Sequence, residues 1–490
     1  MNILDLPWDI LYDIFLRFRD PRVRAEPGEP GWCWMLHEHA IHDEVDSARI
    51  QTIKNARLTC RLFNRAASPH LVPWIRVSVN RTSLAKVDAI SRNPHIASGV
   101  RAIKLDASYY PKELAEDIER FAERQRHDLQ DEDSYMSTYF GEGEDEEEAR
   151  ANCAFIIKAW VNALSATAAG TGGEKTTEYQ TLLRDVHGEF RRRHEEVSGL
   201  VADGSFVKAL AQSISRLPAF SSLMIDDKNP RSTRDMHDPL HTFNDRASLV
   251  NFLVSPFLWS DIEKAMPGQA LSEGGMELAV ASLLRDLPIA IHQAGGILRD
   301  LSVWVFPRRL RNRTLLDPEG REQEIRDAFQ HLEQFQLIDH GSRAFRGEAN
   351  IPPERLGPSD RYLKAVVSSP HIRSLRLHFP RQASHWSRYP ASSFIPAVAS
   401  DRLTVLALEG ALVRQSDLNY LCSRLALKPT FVELSALTLQ SGRWSPVVDA
   451  VRRRTEALCA QKKCRVRLSK LVGGEFGEIE KKCVCVGLAG

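Results

Sequence analysis

The sequence predicts a mixed α/β chain: a helical N-terminal segment, then stacked short parallel strands and helices. Two helical apolar patterns near the N-terminus carry the first part. A recurring apolar-x2-apolar-x-apolar pattern carries the second. At 490 residues, two to four ordinary domains are expected unless part of the chain is a repeat array.

The first helical pattern runs through Leu4, Leu6, Ile10, Leu11, Ile14, Phe15 and Phe18. From Ile10 the spacing is that of one helix face. Asp5 is a candidate cap, and Pro7 suits a first turn, where its missing N–H has no partner to lose. Residues 20–34, with Pro21, Pro27-Gly28 and Pro30-Gly31, read as loop. A second pattern, Ile50, Ile53, Ala56, Leu58, Leu62 and Phe63, ends near Ser68-Pro69.

The short apolar pattern then recurs at Val72-Ile75-Val77, Val100-Ile103-Leu105, Phe220-Leu223-Ile225 and Leu298-Leu301-Val303. It closes with Ile372-Leu375-Leu377, Leu403-Leu406-Leu408 and Leu434-Leu437-Leu439, the last three in phase at 31 residues. Each copy is strand-sized, and helical spacings fall between copies at Leu84-Val87-Ile90, Leu418-Leu421-Leu425 and Val447-Val448-Val451-Leu458. A strand and a helix every 20 to 30 residues or so is the leucine-rich-repeat arrangement, whose units bury their apolar faces only by stacking. The usual asparagine after the strand is missing: His378-Phe379-Pro380, Glu409-Gly410-Ala411 and Gln440-Ser441-Gly442 stand there. The array is therefore expected to be irregular, with Leu375, Leu406 and Leu437 in one buried row and Leu377, Leu408 and Leu439 in a second. Three copies share a lead-in with Pro (Ser91-Arg92-Asn93-Pro94-His95, Ser215-Arg216-Leu217-Pro218-Ala219, Ser368-Ser369-Pro370-His371), which ends the helix before each strand.

Residues 111–205 interrupt the array. Within them, 128–150, with Asp145-Glu146-Glu147-Glu148, and 165–178, rich in Gly and Thr, have the composition of disordered segments. Phe155–Leu164 is expected to be one helix. Residues 340–360 read as another loop. The expected domains are 1–71 (with an inserted loop at about 19–49), 72–110 as first repeats, 111–205 as insertion and 206–490 as an irregular repeat domain.

Two N-terminal stretches resemble the F-box family. The first is Leu4-Asp5-Leu6-Pro7-Trp8-Asp9-Ile10-Leu11-Tyr12-Asp13-Ile14-Phe15. The second is Ala56-Arg57-Leu58-Thr59-Cys60-Arg61-Leu62-Phe63-Asn64-Arg65-Ala66-Ala67, followed by Pro69-His70-Leu71. The connection between them, with Trp32-Cys33-Trp34, is longer than the family's usual one. The downstream strand pattern and Gly442-Arg443-Trp444 before a helix are similar to the repeat tails of fungal F-box proteins. The resemblance implies a non-catalytic subunit of a Skp–cullin–F-box ubiquitin ligase. Leu6, Pro7, Ile10, Leu11, Ile14, Phe15, Leu58, Leu62 and Phe63 would contact a Skp-type adaptor, and through it a cullin. The repeat region would hold a client protein. Independently, a helical bundle of about 40 to 50 residues cannot hide all this apolar surface within itself. A second reading is an interaction or scaffold protein with an F-box-like helical hairpin that degrades nothing. A third is an enzyme with its site between residues 220 and 360.

Composition narrows the partners. Lys and Arg number 65 against 64 Asp and Glu, so no basic excess marks a general nucleic-acid or membrane surface. The N-terminus lacks the basic and apolar regions of an export signal, and no run of about 20 apolar residues occurs. A cytoplasmic or nuclear location is expected. The eight cysteines are then expected to be reduced, and Asn80 and Asn312 to be chance sequons. No cofactor or metal is expected. Cys33, His37, His39 and His42 fit no closed zinc site, and Cys459, Cys464, Cys483 and Cys485 lack zinc-ribbon spacing. Gly170-Thr171-Gly172-Gly173 lacks the Lys-Ser/Thr of a phosphate loop, and no Gly-x-Ser-x-Gly elbow occurs. Arg191-Arg192-Arg193 and Arg452-Arg453-Arg454 read as solvated helix faces, the first also as a candidate nuclear-import signal.

Overall fold

The computed structural model describes residues 6–18, 43–139, 144–164, 174–227, 239–258, 282–305, 320–338, 357–379, 389–461 and 463–476. They fall into two units. One comprises Met1–Ala107, Gly204–Asp226 and Ala281–Gly490; the other comprises Ser108–Asp203 and Asp227–Val280. The second unit thus also takes residues 227–280, which the sequence pattern had assigned to the repeats.

The first unit begins with three helices: α1 (Trp8–Leu16), α2 (Asp43–Thr59) and α3 (Arg61–Ala67). The second expected helix is therefore two. Cys60 is extended (φ −159°, ψ 167°) and caps α3, its Sγ accepting the Phe63 N–H at 3.4 Å. Pro7 is the residue before the first helical turn.

The unit then builds a nine-stranded, all-parallel sheet: β1 (Trp74–Ser78), β2 (Ala102–Asp106), β3 (Ser222–Asp226), β4 (Asp300–Val303), β5 (Gln334–Ile338), β6 (Ser374–His378), β8 (Val405–Glu409), β10 (Phe431–Ser435) and β12 (Arg465–Ser469). Strand order follows the sequence, each new strand adding at the edge. β7 (Tyr389–Pro390), β9 (Ala411–Arg414), β11 (Thr438–Ser441) and β13 (Val472–Gly473) form a smaller sheet of their own. Between the main strands lie α4 (Arg81–Ser91), α5 (Pro94–Ala97), α10 (Ser205–Ile214), α13 (Leu283–Gln293), α14 (Glu322–Ala328), α15 (Gly357–Val367), α16 (Gln415–Ser423) and α17 (Trp444–Ala460). α4, α10, α13, α14 and α15 lie side by side in that order, as α16 and α17 do.

The register explains the apolar spacing. Ile75, Ile103, Leu223, Leu301, Phe335, Leu375, Leu406, Val432 and Val466 form one row. Val77, Leu105, Ile225, Val303, Leu337, Leu377, Leu408, Leu434 and Leu468 form the next. All are buried, because alternate residues of a strand share one face. The rows expected for the last in-phase copy need correction. Leu434 aligns with Leu408, while Leu437 and Leu439 lie beyond the strand, Leu439 in β11. The chain turns out of the main sheet at Ala436 (φ 50°), and the equivalent residues Gly410 and Lys470 also have positive φ, 73° and 54°. The 31-residue phase of that copy therefore spanned two sheets.

Among its described residues the second unit is mainly helical: α6 (Lys112–Glu116), α7 (Ile118–Tyr139), α8 (Glu144–Leu164), α9 (Glu174–Ala202), α11 (Pro239–Asn244) and α12 (Arg246–Leu253). Disorder was expected over 128–150; within it, 128–139 and 144–150 are helix. Buried Leu129, Met136, Ala149, Cys153, Ile156 and Trp160 form an apolar stripe beneath exposed acidic residues. Asp145, Glu146, Glu147 and Glu148 open α8, where carboxylates suit the positive end of the helix. The Trp160 indole donates to the Tyr179 carbonyl at 2.9 Å. Of the expected linker, 174–178 belong to α9; residues 165–173 lie outside the described residues, as do most of 19–49. Of the loop expected over 340–360, residues from Gly357 are helical.

Candidate functional site

Two surfaces of the first unit concentrate unusual side chains. The first is the N-terminal bundle. Phe15, Ile53, Ala66 and Ala67 form its buried centre, joined by Ala56, Phe63 and Leu71. Phe15 meets Phe63 edge-on at 5.3 Å, and Tyr12 lies 5.2 Å from the His70 ring. Arg57 donates to Ser68 Oγ at 2.8 Å and Asn64 Oδ1 at 3.2 Å, tying α2 to α3 and the turn after it.

This packing divides the nine residues singled out in the sequence. Leu11 is fully buried and Phe15 nearly so, which corrects their expected place on an outer contact surface. Ile14, Leu62, Phe63 and Leu6 are half-buried, and Pro7 is exposed. Leu58 is 85% exposed and Ile10 43%. The break at Cys60 is the reason Leu58 does not share the inner face of Phe63. Two further exposed side chains belong with them: Trp8, with the Arg65 guanidinium 4.9 Å above its ring, and Phe18. Trp8, Ile10, Phe18 and Leu58 are four of the seven large apolar side chains exposed among the described residues, so this small bundle carries most of that surface. The signal for Trp8 was its place next to Pro7, outside the apolar helix spacing.

The second surface is the polar face of the sheet. Its three rows run from Trp74 through Ala102, Ser222, Asp300, Gln334 and Ser374 to Arg465; from Arg76 through Lys104, Met224, Ser302, Gln336, Arg376 and Glu433 to Arg467; and from Ser78 through Asp106 and Asp226 to Ser469. From β2 to β5 every residue of these rows is buried; Arg465 and Arg467, at the last strand, are exposed. Lys104 Nζ lies 3.1 Å from Asp226 Oδ2, both buried. Burial lowers the Lys104 pKa, and the Asp226 carboxylate opposes that shift. Ser78 Oγ donates to Asp106 at 3.2 Å. Met224, Trp304 and Ile338 form an apolar cluster in mid-sheet, with the Trp304 indole donating to Ser302 Oγ at 2.7 Å. Beside it, Asp300 is fully buried with neither carboxylate oxygen partnered. Burial, then the nearby Glu333 carboxylate, push its pKa up to about 7, against the pull of Arg299. Sequence reasoning passed over Asp300; its signal was an acid inside a strand pattern, between the leucine positions.

Among the described residues no group of three or more His, Cys, Asp or Glu side chains is placed to hold a metal ion. Cys459 and Cys464 are buried, and burial beside Cys459 pushes the Cys464 thiol up to about 12. Cys33, His37, His39, His42, Cys483 and Cys485 lie outside the described residues. Arg192 and Arg193 pair with Glu189, whose carboxyl these partners hold at about 2; Arg452, Arg453 and Arg454 are exposed on α17. No helix among the described residues is long and apolar enough to cross a membrane. The chain matches no protein-family model and no curated protein.

Proposed function

We propose that the chain is the substrate-recognition subunit of a Skp–cullin–F-box ubiquitin ligase. In this reading α1–α3 are an F-box that docks on a Skp-type adaptor, and the sequential parallel sheet is an irregular leucine-rich-repeat-like solenoid that serves client binding. Ubiquitin transfer is carried out by the other subunits, so this chain supplies positioning rather than acid–base chemistry. It works in the cytoplasm or nucleus. The single observation that carries the reading is the apolar surface left outside the bundle: Trp8, Ile10, Phe18 and Leu58, beside the half-buried Ile14 and Leu62. Large exposed apolar side chains concentrated on so small a bundle are the mark of a protein partner. Trp8, Ile10 and Leu58 lie on the two stretches that resemble the F-box, which supports a Skp-type adaptor as that partner. Because the sheet's central polar face is buried, client contact is assigned to its outer parts, where Arg465 and Arg467 are exposed.

The test is co-purification of the full chain with a Skp-type adaptor and a cullin, wild type against Leu58→Asp and Ile10→Asp. Both substitutions are at exposed positions and should leave the chain folded. Loss of the adaptor from both variants supports the reading. Wild-type protein that fails to bind any Skp-type adaptor refutes it. An adaptor complex that excludes cullin would favour the non-degradative scaffold instead.

A further inference from the structure

We propose that Asp300, Gln334 and Gln336 form a binding site for an amide group, presented by a peptide chain or a small carboxamide. Asp300 pairs in register with Gln334, and Ser302 with Gln336, on adjacent strands β4 and β5. Alternate residues share a face and neighbouring strands lie about 4.8 Å apart, so the four side chains form one compact group. Both Asp300 oxygens and both glutamine Nε2 groups are buried without a hydrogen-bond partner. Ser302 Oγ already accepts from Trp304. Leaving one such group unpaired costs about 1–3 kcal/mol, and native interiors rarely leave several together.

The donor inventory selects the ligand. Asp300 is an acceptor; the two amides offer N–H donors. A cation would satisfy Asp300 and leave both glutamine donors unpaired. An anion would satisfy the two glutamine donors, but it would bring a charge into the same buried surroundings that keep Asp300 protonated up to about 7, and above that it would face a second negative charge. An amide answers both needs: its N–H donates to Asp300 and its C=O accepts from Gln334 and Gln336. Trp304, Met224 and Ile338 supply an apolar wall on the same face, the usual composition of a small-ligand site. Ordered water is the competing occupant. None of this depends on the adaptor reading.

The experiment is ligand-observed NMR on the full chain with three probes of one shape: butyramide, butyrate and butylammonium. Butyramide should bind saturably and the two ions should not. Asp300→Leu and Gln336→Met, which replace unpaired polar groups by apolar ones of similar size, should each weaken butyramide about tenfold or more. Thermal unfolding of each variant at or above wild type establishes that it is folded. No saturable butyramide binding means that water alone fills the site and overturns the proposal. Equal binding by wild type and both variants, or preference for either ion, also overturns it. Adaptor binding by the same variants should be unchanged, which keeps this test separate from that of the F-box reading.

Discussion

Replacing Asp300 by Asn isolates the energetic consequence of a fully buried, unpartnered carboxyl. Well below 3.8 the side chain is protonated in both the folded and the unfolded chain, so it exerts no pH-dependent effect. Between 3.8 and about 7 the unfolded chain loses its proton while the folded one keeps it. The unfolded state then binds fewer protons, and stability falls as pH rises through this window. Above about 7 both states are ionised and the loss is complete. A carboxyl held at about 7 instead of 3.8 costs about 4 kcal/mol, at about 1.4 kcal/mol per tenfold change in proton affinity. Asn has nearly the same shape and does not titrate. Asp300→Asn should therefore lie close to wild type near pH 4 and exceed it by up to about 4 kcal/mol at pH 8. The direct assay is amide exchange across β4 and β5, with denaturant midpoints of both proteins at each pH. Since the other carboxylates are common to both, the difference curve belongs to Asp300. A difference that does not change between pH 4 and pH 8 would refute the reasoning.

Lys104→Met removes one partner of the buried Lys104–Asp226 pair and should cost about 3–5 kcal/mol in chemical denaturation; adding Asp226→Leu should recover most of the loss. A double variant as unstable as the single one would count against a pairwise interaction. Gly410→Ala should destabilise by about 1–3 kcal/mol, because φ is +73° and an added Cβ would lie 2.3 Å from the Phe379 carbonyl oxygen. Leu11→Ala should cost about 2–5 kcal/mol of bundle stability, read by local amide exchange in α1–α3. Leu58→Asp should leave that exchange unchanged and weaken adaptor affinity about thirtyfold or more.

Much of the sheet was legible because its signal is local. The pair of leucine positions repeats with period two inside each strand, and six of the seven copies found by spacing fall on main-sheet strands in the expected rows. β5 carried the same pattern, Leu332-Phe335-Leu337, but stood out of phase with the last three copies. β12 has only Val466 and Leu468, its preceding position being Lys463. At β10, Leu434 belonged to two overlapping patterns, and the phase of 31 favoured the wrong one. What decides there is the left-handed turn at Ala436, which no residue type announces. The acidic helices were misread for a different reason. Composition averages over a window, whereas α7 and α8 bury a stripe of Leu129, Met136, Cys153 and Trp160, pair Arg124 with Asp128 inside and leave most other charges on the opposite faces.

The candidate site was legible in its residue types and not in its geometry. Leu11 and Leu58 look alike in the sequence, each an apolar residue within an F-box-like stretch. Their roles separate only when the helix break at Cys60 and the pairing of Phe15 with Phe63 are known. Leu11 then falls inside the bundle and Leu58 outside it, so truncating Leu11 should disturb folding, whereas altering Leu58 should disturb the proposed docking. A double change at Leu11 and Leu62 would mix the two effects, because the first position is core and the second half-buried. The same logic applies to Asp300. Its identity was visible in the sequence, but its meaning depends on the register with Gln334, the proximity of Glu333 and the lack of a hydrogen-bond partner. In both places the proposed function rests on what the neighbouring strand or helix leaves unsatisfied, a property of the packed chain that no window of residues contains.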